Sequence, residues 1–81
     1  MIGDFRKDID SLDDELIIIL NKRMEIVKEL MRLKKEEGVP IENKEREEEV
    51  ISRLVKKNLI PEKMIREIYG VIFKYGKTSS F

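Results

Sequence analysis

The sequence predicts an all-α chain of three helices, the first much longer than the others, in one domain spanning residues 1–81. Apolar residues recur at helical spacings, and nowhere do they show the period-two alternation of a strand. Helix breakers are few, with four Gly and two Pro in 81 residues, and only two places break the helical pattern. One is Gly38-Val39-Pro40; the other is Pro61, after Asn58-Leu59-Ile60. The predicted helices are therefore about 4–36, 44–57 and 61–76.

The first helix carries a heptad-like seam. Phe5, Ile9, Leu12, Leu16, Ile19, Arg23, Ile26, Leu30 and Leu33 follow at alternating spacings of four and three. Residues 4–15 are rich in acids and residues 22–35 in bases, the order that the helix dipole favours. Gly38 is placed to stop the helix. Such a helix is about 50 Å long, whereas a compact domain of this length is roughly 30 Å across. The run Leu16-Ile17-Ile18-Ile19-Leu20 is apolar on every side of the helix. It needs cover on more than one face. With no Gly or Pro between Asp4 and Glu37 to fold the helix back, a second, identical chain is the expected cover.

Asn43 is a good N-cap for the second helix, whose apolar face is Val50, Ile51, Leu54 and Val55. Pro61 suits the first turn of the third helix. Its stripe is Met64, Ile65, Ile68, Tyr69, Ile72 and Tyr75. The segment from Gly76 to Phe81 is weakly helical and is expected to fray.

Composition narrows the function. Lys+Arg and Asp+Glu balance at 17 each, which argues against nucleic-acid binding and polybasic membrane binding. No apolar run has the length of a membrane span and no signal-peptide pattern opens the chain, so the expected location is cytoplasmic. There is no Cys and no His. Thiol chemistry, thiolate metal sites and the commonest general base are therefore excluded. An enzyme of this composition works by positioning and charge.

Several charges stand in expensive places. Arg23 occupies a seam position that should be apolar, so something anionic must meet it. Periodicity alone favours a structural ion pair or a polar register-setter. Lys34 lies eleven residues later, on the same face and about 16 Å along the axis. A small ligand between the two is within reach of both. Arg6 lies seventeen residues before Arg23, about 100° away in azimuth and roughly 25 Å along the helix. It cannot serve that pocket within one chain, though in a dimer it can serve the partner's. On the second helix Glu47 lies on the inward edge and Arg46 four residues before Val50, while Glu45, Glu48 and Glu49 read as a solvated first turn.

Taken together, these positions resemble the all-helical (type II) chorismate mutase family over nearly the whole chain. Phe5-Arg6-Lys7-Asp8-Ile9-Asp10-Ser11-Leu12-Asp13 looks like the start of the family's first helix. Leu20-Asn21-Lys22-Arg23 resembles its leucine, two residues, arginine segment, and Lys34 falls at its lysine. Gly38-Val39-Pro40-Ile41-Glu42-Asn43-Lys44-Glu45-Arg46-Glu47 resembles its loop into the second helix.

The resemblance implies an intertwined helical homodimer that converts chorismate to prephenate, the committed step toward phenylalanine and tyrosine. It implies no cofactor and no metal. The reaction is an intramolecular Claisen rearrangement without proton transfer, and it suits a chain lacking His and Cys. Arg6 from the partner chain and Arg23 would grip the substrate carboxylates, because a guanidinium binds a carboxylate through two points. Lys34 would face the ether oxygen and Glu47 the ring hydroxyl, with Arg46 helping to hold Glu47. Another enzyme of the shikimate pathway is a possible partner.

Two positions depart from the family's pattern. Asn43 replaces an Asp and caps a helix about as well. The family's helix-three Gln or Glu falls on Ser80, a shorter donor, and its helix-three serine on Gly76. The expectation is a weaker contact at the ether oxygen. Two other readings stand beside the mutase. An isochorismate-pyruvate lyase uses the same cationic pocket. A non-catalytic dimerisation module would neutralise Arg23 and Lys34 with protein carboxylates and leave no pocket.

Overall fold

A computed structural model describes residues 1–77 as three helices, α1 (Ile2–Glu37), α2 (Lys44–Val55) and α3 (Glu62–Lys77), with no strand among them. No helix of the described residues is long and apolar enough to cross a membrane. The chain is elongated, 55 × 26 × 16 Å, with a radius of gyration of 15.6 Å. A compact domain of this length would have about 12 Å.

α1 ends in a Schellman motif. Gly38 adopts the left-handed conformation at φ 70°. Its N–H donates to Lys35 O at 3.4 Å, and the Val39 N–H donates to Lys34 O at 2.9 Å. Both bonds satisfy carbonyls that the helix end leaves open. Gly38→Ala places a Cβ in that conformation and is expected to destabilise the fold by about 1 kcal/mol, read as a lower urea midpoint at unchanged m.

α2 opens on Asn43, whose Oδ1 accepts from the Arg46 N–H at 3.0 Å. It ends at Val55, two residues before the expected boundary. Asn58 then takes a positive φ of 55°, which Asn tolerates better than most side chains. Pro61 sits just before α3 rather than inside its first turn. Its carbonyl accepts the Ile65 N–H at 3.1 Å, which makes it the N-cap.

The core lies between α2 and α3. Val50, Ile51 and Ile65 are the buried hydrophobic residues among those described. Arg66 clamps these helices from outside, donating from Nη2 to Glu48 Oε1 at 2.7 Å and from Nη1 to Glu48 Oε2 at 3.1 Å. Glu48 is therefore ion-paired, not merely solvated. The arginine's hydrogen bonds hold its carboxyl below the usual carboxylate range.

Among the described residues α1 packs on α3, along its C-terminal half. Every residue from Met1 to Ile19 is exposed, while Leu20, Arg23, Met24, Val27, Met31 and Lys34 are half-buried. The stripe that packs within the chain thus lies beside the heptad seam and shares Arg23 with it. Ile9, Leu12, Leu16, Ile19, Ile26, Leu30 and Leu33 remain exposed. The N-terminal arm of α1 is about 28 Å of helix with its apolar residues uncovered by its own chain.

Candidate active site

The C-terminal half of α1, the N-terminal half of α2 and the end of α3 enclose a cleft of about 310 Å³. This is the small end of the range for ligand pockets. Its polar lining includes Arg23 and Lys34 from α1, Asn43, Arg46 and Glu47 from the start of α2, and Lys77 from α3. Five of the residues that the sequence marks are therefore gathered at one place. Arg6 is exposed on the arm of α1 and does not line the cleft. Ser80 lies outside the described residues.

Each side chain is positioned by an identifiable local cause. Arg23 is half-buried against the aromatic face of α3. Its Cζ lies 5.6 Å from the Tyr69 ring centroid and 5.9 Å from that of Phe73. The two rings pack edge to face at 5.6 Å. The π faces hold the guanidinium without neutralising it. Lys34 donates from Nζ to Ile41 O at 3.3 Å. Among the described residues neither Arg23 nor Lys34 is paired with a carboxylate. The dimerisation-module reading required such pairs, together with the loss of the pocket.

Asn43 sets the start of α2, so its cap fixes where Arg46 and Glu47 leave the helix. Arg46 lies 3.7 Å from Glu49 in an exposed pair. The cation on Glu47 is Lys77, with Nζ 2.7 Å from Oε2. The same ammonium lies 3.6 Å from Glu42 Oε1. The hydrogen bond to Glu47 pushes the Lys77 ammonium above its usual range.

Lys77 and Phe73 also line the cleft, and the sequence does not mark them. Phe73 follows Tyr69 by four residues, so the helical spacing contained its signal. Lys77, a lysine in a last helical turn, reads as an ordinary complement to the dipole. It reaches the cleft because α3 comes close to α1 at Gly76. A Cβ on Gly76 would lie 3.3 Å from Val27 Cγ1. The tight approach accounts locally for glycine where the resemblance places a serine.

The described lining is cationic, with a single carboxylate among it. Such a cleft suits a small dianion that also offers a hydroxyl donor. Its groups can bind, orient and stabilise charge.

Known proteins carry related sequences. The chain is 31 % identical over 72 residues to the bifunctional chorismate mutase/prephenate dehydratase of Aquifex aeolicus, covering 89 % of the chain and 18 % of that protein. It is 25 % identical over 79 residues to the chorismate mutase of Methanocaldococcus jannaschii, covering 94 % of the chain and 80 % of that protein. Over 46 residues it is 46 % identical to the T-protein of Haemophilus influenzae, covering 57 % of the chain and 12 % of that protein. No solved structure matches the chain significantly. The model of the family described as chorismate mutase type II matches residues 5–79, nearly the whole chain, and the chain belongs to that family.

Proposed function

We propose that the chain is a chorismate mutase, rearranging chorismate to prephenate as an intertwined homodimer with two sites. The observation that carries this reading is the pair Arg23 and Lys34. Both line one cleft, and neither is neutralised by a carboxylate among the described residues. The dimer rests on the arm of α1, whose apolar residues have no cover within the chain.

The substrate is a dianion. Arg23 binds one carboxylate with its planar fork, and Arg6 of the partner binds the other. Two clamped carboxylates hold the enolpyruvyl arm over the ring, with the two carbons to be joined within reach of each other. The C–O bond breaks as the C–C bond forms, and negative charge grows on the ether oxygen. Lys34 stabilises that charge, and its tether to Ile41 O aims the ammonium before substrate arrives. Glu47 accepts the ring hydroxyl. Asn43 and Arg46 set the helix start and the charge around Glu47. Ser80 is the further candidate at the ether oxygen.

The test is direct. Purified protein mixed with chorismate is expected to yield prephenate without added metal or cofactor. Pyruvate released from isochorismate, with no prephenate formed from chorismate, would move the assignment to the lyase. A folded dimer that turns over neither substrate would be a non-catalytic relative.

A further inference from the structure

We infer that Lys77 is a positioning residue for Glu47, holding its carboxylate off the substrate-binding cations and aimed at the substrate hydroxyl. The inference rests on the proposed mutase activity and deepens it.

The cleft poses an electrostatic problem that the mutase mechanism leaves open. Glu47 shares a 310 Å³ space with Arg23 and Lys34. Each of those cations needs an anion, and Glu47 is the one carboxylate among the described lining residues. Left to itself, a half-buried carboxylate rotates toward the nearest unpaired charge. It would then neutralise a group that the substrate dianion requires. Lys77 offers a competing partner from the end of α3, at 2.7 Å from Oε2. A charge-assisted contact this short is among the stronger polar interactions. It engages Oε2, while Oε1 has no ion-pair or hydrogen-bond partner among the described residues. One oxygen is anchored and the other remains to accept a hydroxyl.

The anchor is itself built in. Gly76 lets α3 sit against Val27, which delivers the next residue to the cleft. Glu42 gives the ammonium a second carboxylate at 3.6 Å. Glu42 lies in the α1–α2 connection, so Lys77 ties that connection, α2 and α3 together at the cleft mouth. The side chains of Lys77 and Glu47 are only 29 % and 23 % exposed, against roughly half for most ion pairs of this chain. Their contact is correspondingly less screened by solvent.

The test is a double-mutant cycle on kcat/KM for chorismate. Lys77→Met is expected to lose about tenfold, with KM raised and kcat lowered, because the freed Glu47 competes with substrate for Arg23 and Lys34. Lys77→Arg keeps the charge and is expected to stay within about threefold of wild type. In a Glu47→Gln background, Lys77→Met is expected to change kcat/KM by less than about twofold, since there is nothing left to hold. A general structural role would give losses that multiply. Multiplying losses, a Lys77→Met variant equal to wild type, or no rescue by arginine would each overturn the inference. Circular-dichroism melts identify variants that fail to fold, and Lys77→Gln carries the cycle if methionine is one of them. A wild type that converts no chorismate removes the proposed function and this inference together. An active wild type with an indifferent Lys77 removes the inference alone.

Discussion

Lys34→Ala is expected to lower kcat by about 10²–10³-fold, the scale on which removal of one preorganised donor from a developing oxyanion acts. KM should change much less, because the proposed carboxylate clamps are other groups. The reason lies in where Lys34 sits. It is half-buried in the cleft, and its ammonium is held by Ile41 O without a carboxylate among the described residues to spend its charge on. Lys34→Arg is not a conservative change here, because the guanidinium cannot make a single-point contact with the same carbonyl and an ether oxygen in the same way. Steady-state assays of the purified variants check both statements. A Lys34→Ala enzyme within fivefold of wild type in kcat would refute the assigned role. Arg23→Ala is the useful contrast. It removes a proposed carboxylate clamp and should raise KM as well as lower kcat.

The second large effect is a recovery. Arg6→Ala and Lys34→Ala homodimers are each expected to be nearly inactive. Unfolded together in urea and refolded at equal amounts, they are expected to regain about a quarter of wild-type activity. Half of the dimers are then mixed. In each mixed dimer one site takes both lesions, while the other takes an intact Arg6 from one chain and an intact Lys34 from the other. On α1, Arg6 stands about 25 Å along the axis from Arg23, on an arm its own chain leaves exposed. If Arg6 served its own chain, every site in the mixture would carry a lesion and no activity would return. Activity plotted against mixing ratio decides between these arrangements.

Much of the scaffold was legible in the sequence because local rules agreed with one another. Gly38 is an unambiguous helix stop, Asn43 an unambiguous start, and the lack of Gly and Pro between Asp4 and Glu37 forces one long helix. The site was legible only in part. Arg23, Lys34, Asn43, Arg46 and Glu47 were found because a charge on an apolar stripe conflicts with its surroundings, or because a motif carried it. Lys77 raised no conflict. A lysine in a last helical turn satisfies every local rule, so only the packing of α3 on α1 reveals that it faces Glu47. The Glu48–Arg66 clamp escaped for the same reason, as a residue eighteen positions away decides it. The heptad seam is one of two apolar stripes on α1. Leu20, Met24, Val27 and Met31 lie beside the heptad seam, and hydrophobic spacing alone does not say which stripe meets which neighbour.

Lys34 is fastened to main chain at both of its ends. Its carbonyl accepts the Val39 N–H, and its ammonium donates to the Ile41 carbonyl. Every amino acid supplies a carbonyl, and all but proline supply the N–H. The stretch between Gly38 and Asn43 therefore holds Lys34 with main chain alone, although Glu42 within it carries the contact with Lys77 and Ile41 lines the cleft. What it cannot absorb is a change of length. One residue gained or lost between positions 39 and 41 would move one anchor relative to the other. Natural variation in this connection should therefore be narrower in its length than in the side chain at position 39.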